Sequence, residues 1–271
     1  MEVFPHLHEL WQYRDLVYNL VVRDLKVRYR NSILGIAWSW LNPLLMMIVY
    51  TVFFTIFLHN DTIRHYPVFL LCGTLSWSFF NDSVLQGTGS IVNNAHLIKK
   101  VYFPREVLPL SVVLSNLINF LISLPVFFIL TLVLGAPLSL WALLLPVTLL
   151  IQLTFTLGLA FLFSTLNVLF RDTQHILGVI MLAWFFLTPV FYPISAVPNE
   201  ASLLGITFNA QLWLRRLNPM ASIIASYRDL LYWGNPTGLD FLLRTAVTGL
   251  IVLAVGYLVF LHYCARFSEE I

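Results

Sequence analysis

Four cations, Arg23, Lys26, Arg28 and Arg30, are crowded into the run RDLKVRYRNS, which leads directly into the apolar stretch GIAWSWLNPLLMMIVYTVFFTIFL beginning at Gly35. A guanidinium grips phosphate oxygens through two parallel hydrogen bonds, and an ammonium binds them as a point charge. At helical spacing Arg23, Lys26 and Arg30 share one face, and Asp24 is set to support Arg28 four residues on. Two readings suit such a surface at an inner leaflet. The charges either fix topology against anionic headgroups or form a site for a phosphorylated lipid carrier.

Aromatic residues form a second group, gathered at Trp38, Trp40, Tyr50, Phe53, Phe54 and Phe57 and again at Trp184, Phe185, Phe186, Phe191 and Tyr192. Trp and Tyr commonly anchor a protein at the membrane interfaces. Rings facing a channel would instead offer sugar units a dry surface to slide along. A third group lies in SIVNNAHLIKKVYFPREVLP, where Asn93, His96, Lys99, Lys100 and Arg105 are set among Leu97, Ile98, Tyr102 and Phe103. Charge interleaved with exposed aromatics suits docking to a cytoplasmic protein, the competing reading being an interfacial helix resting on lipid.

The elements that must position these groups are membrane spans. Hydrophobic residues make up 59% of the 271 and charged residues 10%, against about 25% charged in a soluble domain. A hydrocarbon core of about 30 Å takes about 20 helical residues. Six stretches reach that length, at 34–58, 67–89, 107–134, 138–166, 174–192 and 240–263. The expected fold is therefore an all-α integral membrane protein of six transmembrane helices in a single domain, 1–271. It divides into a cytoplasmic interfacial helix and basic segment (1–33), spans one to five (34–192), an external re-entrant segment (193–239), and span six with a cytoplasmic tail (240–271).

The interfacial helix rests on Leu10, Tyr13, Val17 and Leu20, which recur at steps of three and four. The external segment is too polar to cross as one helix. It carries Leu203, Leu204, Phe208, Leu212, Trp213, Ile223 and Ile224, which suits a pair of short helices dipping part way into the membrane. Counting basic residues near span ends puts Arg14, Arg23, Lys26, Arg28, Arg30, Lys99, Lys100, Arg105, Arg171 and Arg266 on the cytoplasmic side. Arg64, Arg215, Arg216, Arg228 and Arg244 fall opposite, and both termini are expected inside. The charged first thirty residues lack the apolar core of a cleavable signal, so the amino terminus is expected to be retained.

Within the spans, Ser111, Ser115, Asn119 and Ser123 repeat every four residues, a pattern for close helix packing or for a polar pore lining. Asp82 is the carboxylate well inside a span and is expected near the cytoplasmic interface. Pro43, Pro125 and Pro189 each remove a backbone donor and permit a kink. Cys72 and Cys264 are too far apart in the pattern of spans to suggest a disulfide.

Motifs for chemistry on this chain are missing: there is no GxxxxGK[ST], HExxH, CxxC or GxSxG, and the histidines are scattered. A membrane transferase acting on lipid-linked sugars fits the aromatic and cationic content but lacks obvious catalytic carboxylates or histidines at the membrane surface.

The segments LVVRDLKVRYRNSILGIAWSWLNPLLMMIVYTVFF, YPVFLLCGTLSWSFF, NNAHLIKKVYFPREVLPLS, LNVLFRDTQ, TPVFYPISAVP and LNPMASIIASYRDLL, in that order, resemble the transmembrane subunit of polysaccharide and polyol phosphate ABC exporters. That resemblance implies a permease rather than an enzyme. It would be a homodimer of six-span subunits with two copies of a separate cytoplasmic ATP-binding subunit, on which ATP and Mg would act. The cargo would be a lipid-linked glycan such as O-antigen, capsule or teichoic acid, crossing a bacterial inner (plasma) membrane, with no cofactor on this chain and no nucleic acid. Carried onto this sequence, Arg23, Lys26, Arg28 and Arg30 would meet the carrier's pyrophosphate. Trp38, Tyr50, Phe53, Phe54, Phe57, Trp184, Phe185, Phe191 and Tyr192 would line the channel. Asn93, His96, Lys99, Lys100, Tyr102, Phe103 and Arg105 would face the ATPase, together with the helix near Leu10 to Val22.

Overall fold

A chain in lipid must satisfy its backbone within each crossing segment, and five of the six expected spans do so as long apolar helical stretches: Gly35–Ile56, Tyr66–Gly89, Val107–Val133, Leu140–Leu169 and Leu239–Cys264. The computed structural model describes residues 11–30, 32–57, 63–203 and 206–270. The expectations for Leu10, for the Phe57 and Leu203 side chains and for Leu204 fall outside what is described.

In chain order the helices are α1 (Arg14–Tyr29), α2 (Trp38–Val52, entered through a 3-10 turn and left through a π-helical turn), α3 (Tyr66–Gly89), α4 (Ala95–Lys100), α5 (Val107–Val133), α6 (Leu145–Leu169), α7 (Thr173–Leu187), α8 (Ala210–Leu217), α9 (Pro219–Arg228, continued by a π turn Asp229–Trp233), α10 (Leu239–Cys264) and α11 (Phe267–Glu270). Strands β1 (Glu200–Leu203) and β2 (Ile206–Asn209) pair antiparallel, with Ala201 opposite Phe208.

Two expectations need correction. The apolar run predicts a fifth span over 174–192, yet α7 has 15 residues, about 22 Å at 1.5 Å each, which is short of a full crossing. Pro189 accounts for the early stop, because it has no N–H and its ring drives Thr188 out of the helical region, to φ −100° and ψ 136°. The external segment does hold the expected pair of short helices, α8 and α9, but a β-hairpin precedes them. Strands of four residues carry too little alternation to be read from sequence, although Ile206, Thr207 and Phe208 favour extended backbone. Both short helices start at asparagine caps: the side-chain oxygen of Asn209 accepts from the Leu212 N–H at 2.9 Å, and that of Asn218 from Ala221 N–H at 3.2 Å.

Helix α3 is the centre of the assembly. Val68, Phe69, Leu70 and Leu71 are all fully buried, and α2, α5, α6, α7 and α9 pack around it. Helices α6 and α10 meet at glycines: a Cβ on Gly158 would lie 2.6 Å from the Leu253 Cα, and one on Gly256 would overlap the Gly158 carbonyl. Backbones that approach this closely leave no room for any side chain.

A second apolar cluster joins Leu20 of α1, Ile91, Phe103, Phe161, Phe260 and Phe267. Tyr13 and Val17 pack on it with Leu20, so the apolar face expected of α1 exists and is seated on protein. This cluster brings α1 and the carboxy-terminal α11 to the same end of the helix layer, the end that also holds α4.

Candidate functional site

The carboxy-terminal end of α1 and the walls of α2, α3, α5 and α7 line an open cavity of about 680 Å³. On α3 the lining residues Thr74, Ser78, Asp82 and Gln86 recur every four positions, so that one face of this otherwise buried helix is a polar ladder. Opposite it stand Asn116, Asn119 and Ser123 of α5, and Asn42 of α2.

The ladder read on α5 divides. Ser111 bonds back to its own Leu108 carbonyl at 2.9 Å, and Ser115 is buried in packing. Farther along, Asn119 accepts from the Ser39 hydroxyl at 2.8 Å and Ser123 donates to the Ser39 carbonyl at 2.9 Å. These two residues hold α2 against α5 and line the cavity as well.

The four cations also divide. Arg28 enters the cavity, where its Nη2 donates to Asn116 Oδ1 at 2.7 Å and to Gln86 Oε1 at 3.0 Å. The pairing of Asp24 with Arg28 is therefore corrected: Asp24 takes Arg23 at 2.9 Å, while Arg28 turns to the two amide oxygens that α3 and α5 offer. Arg23 also reaches Asn94 at 3.3 Å, which ties α1 to the turn before α4. Arg23, Lys26 and Arg30 border a second cavity of about 810 Å³, as their shared face predicted. Val22, Leu25, Ile36 and Ile122 give that groove an apolar floor. Tyr29 borders both cavities, and its hydroxyl bonds to Ser39 and Asn119.

Of the aromatics singled out from sequence, Trp38, Tyr50 and Phe185 line the cavity. Others pack elsewhere: Phe54 stacks on Phe191 at 5.2 Å, Phe53 sits edge-on to Phe54 at 5.4 Å, and Tyr192 donates to the Phe186 carbonyl at 3.3 Å. Trp184 donates to Asn218 Oδ1 at 2.9 Å and so holds α7 to the start of α9. Trp77, Phe79 and Phe120 line the cavity as well; they lie outside the two aromatic groups of α2 and α7, Trp77 and Phe79 in the WSFF run of α3 and Phe120 in α5. The polar ladder on α3 was missed too, although its four-residue spacing is legible.

Around α4 the expected docking residues separate by exposure. Asn93, His96, Lys99, Lys100 and Tyr102 face outward, Tyr102 being 83% exposed. Phe103 is buried in the second apolar cluster, and Arg105 donates to the Cys264 carbonyl. The last two anchor the surface that the others present.

At the far end lies Arg228, which the sequence marks only as an external charge. It is 4% exposed, with its guanidinium 3.6 Å over the Phe69 ring. It donates to the carbonyls of Pro189 and Val190 and, at 3.3 Å, of Tyr192. Burial pulls its pKa down to about 10, so it remains charged at neutral pH. The guanidinium thereby satisfies the carbonyls left open where α7 breaks, and it fixes that break to α9.

The profile of the ABC-2 type transporter family matches residues 15–232. An O-antigen export system permease protein of Myxococcus xanthus is 39% identical over 265 residues, 98% of each chain. A protein of the same description from Klebsiella pneumoniae is 35% identical over 94% of each chain. A polysialic acid transport protein of Escherichia coli is 23% identical over 88% of this chain and 89% of its own.

Proposed function

The chain belongs to the ABC-2 type transporter family, and from that premise we propose how it works as the permease subunit of an ABC exporter for polysaccharide. It is a multi-pass membrane protein and a transporter rather than an enzyme, paired with an ATP-binding subunit. The cargo in this reading is a lipid-linked glycan leaving the cytoplasm across a bacterial inner membrane. Two copies of this chain would work with two ATP-binding subunits, ATP and Mg acting there.

The observation that carries the reading is the junction of two unlike cavities. One is a groove with an apolar floor and the cations Arg23, Lys26 and Arg30 on its border; the other is lined by amides and hydroxyls together with aromatic and aliphatic side chains, and is entered beside Arg28. An amphiphile with a phosphorylated head suits the first, since guanidinium and ammonium groups hold phosphate while the floor accepts hydrocarbon. A chain of sugars suits the second, where amides and hydroxyls meet its hydroxyl groups and aromatic faces meet its C–H faces. Tyr29 stands at their boundary, so a glycan attached to its carrier passes this residue to enter.

The surface at Asn93, His96, Lys99, Lys100 and Tyr102 would receive the ATP-binding subunit. It lies at the same end of the molecule as both described chain ends, which are cytoplasmic in this arrangement. Closure of the ATP-binding subunits would push on α4, and the buried Phe103 with the part-buried Arg105 would pass that push to α5 and α10.

The test is surface glycan measured in cells with this chain and its candidate ATPase present together or singly. Export that needs both, with lipid-linked glycan accumulating inside when either is missing, supports the reading. Glycan modified by this chain alone would replace it with a transferase.

A further inference from the structure

Beyond the exporter reading, and resting on it, we infer that the cavity takes an uncharged glycan chain and discriminates against polyanionic ones, with Asp82 as the discriminating residue. The distribution of charge carries this. The cations Arg23, Lys26 and Arg30 border the outer groove, where a carrier phosphate would stop. Inside the cavity, among the described lining residues, only Arg28 and Asp82 are charged, and their signs cancel. A second copy facing the first would double both and leave the sum at zero.

Arg28 is tied to the wall through one nitrogen, Nη2, which donates to Asn116 Oδ1 at 2.7 Å and Gln86 Oε1 at 3.0 Å, and among the described lining residues it is the single cation, so a polyanion meets one counter-charge for all of its repeats. The rest of the polar lining is neutral: Thr74, Ser78 and Asn81 on α3, Asn42 on α2 and Asn119 on α5. Amides and hydroxyls both donate and accept, as sugar hydroxyls do, so a sliding chain can exchange one partner for the next at every step. Trp77 and Phe185, with centroids 5.4 Å apart, add an apolar wall whose ring faces are electron-rich.

A polymer with a carboxylate or phosphodiester in each repeat finds no such path. Each anion taken from water into a narrow cavity needs a counter-charge, and the wall supplies none after Arg28. Asp82 adds like-charge repulsion one ladder step beyond Gln86. Asn81 donates to Asp82 Oδ1 at 3.2 Å, which keeps this carboxylate hydrogen-bonded at the wall.

The experiment uses the complex of this chain with its ATPase in proteoliposomes. Two oligosaccharides of equal length on the same prenyl pyrophosphate are supplied, one neutral and one bearing a uronic acid in each repeat. The neutral chain is expected to be translocated with ATP and the acidic one at least about tenfold more slowly. Asp82→Lys is expected to shrink that ratio, and the nearly isosteric Asp82→Asn to shrink it less. Equal rates for the two glycans, or a ratio unchanged in Asp82→Asn and Asp82→Lys, would overturn the inference. If neither glycan moves although the complex hydrolyses ATP, the exporter reading itself is rejected, and this inference with it.

Discussion

Arg28 of α1 donates to Asn116 of α5 at 2.7 Å, a contact between residues 88 positions apart. The same nitrogen also reaches Gln86 of α3 at 3.0 Å, and Asn116 Nδ2 donates to Gln86 Oε1 at 3.3 Å. One guanidinium therefore links the amino-terminal helix to two cavity walls, so a displacement of α1 is felt directly at the mouth of the cavity.

Replacing Arg28 by Ala should abolish export while the complex with the ATPase still assembles, and Arg28→Lys should recover only part of it. Lysine keeps the charge, but its nitrogen ends one atom short of Arg28 Nη2, so it reaches the two amide oxygens less well. Surface glycan and copurified ATPase, measured on the same strains, check both halves of this expectation.

Arg228→Ala should cost on the order of 3 kcal/mol of stability, because several buried carbonyls lose their donor together. Gly73→Ala should act in the same direction, since its Cβ would lie 2.7 Å from Arg228 Nη2 and 3.0 Å from the Val190 carbonyl. Thermal unfolding in detergent measures the two. A melting temperature unchanged in both variants would show that the clamp at the α7 break contributes nothing.

Gly256→Ala should prevent stable insertion of α10 against α6, whereas Gly178→Ala should be neutral or slightly stabilising. A Cβ at Gly256 overlaps backbone, while one at Gly178 meets nothing within 4 Å and lowers the entropy of the unfolded chain. The amount of folded protein recovered after extraction separates them.

Asp229 gives the external segment a pH dependence. Burial pushes its carboxyl up from the ordinary 3.8 to about 6, opposed by Arg215 and by a hydrogen bond from Thr237. A pKa raised on folding means that the folded chain holds the proton more tightly than the unfolded one. The resulting stabilisation is complete below about pH 4 and is lost as pH rises through about 6. Melting temperatures across that window should fall with rising pH, and Asp229→Asn should flatten the slope there.

Much of this architecture was legible in the sequence. The spans follow from long apolar runs, and the groove cations follow from the helical spacing of Arg23, Lys26 and Arg30. Contacts between distant segments were not legible. Nothing local to Arg28 says that it bonds Gln86 and Asn116 rather than Asp24, because the choice depends on how α1 docks against α3 and α5. Arg228 looked like a surface charge for the same reason: its partners are backbone carbonyls, which leave no mark in a sequence. The channel aromatics were drawn from dense clusters, and dense clusters are largely where rings pack on one another, as Phe54 does on Phe191. Trp77 and Phe79 of α3 and Phe120 of α5, outside those two clusters, line the cavity as well.

The docking surface yields a paired prediction. Lys99→Glu combined with Lys100→Glu should weaken capture of the ATPase without changing the melting temperature, since both side chains are exposed. Phe103→Ala should lower the melting temperature first, because it empties a site in the second apolar cluster.

The central claim, that the cavity between α2, α3, α5 and α7 is the path of the glycan, is tested most directly by photo-crosslinking in a stalled exporter. A photoreactive residue is placed at Met46, which lines the cavity, or at Leu250, which is 58% exposed on α10 and outside it. Glycan captured at Met46 and not at Leu250, only with ATPase present, is the result predicted. Capture at Leu250 with none at Met46 would contradict the account.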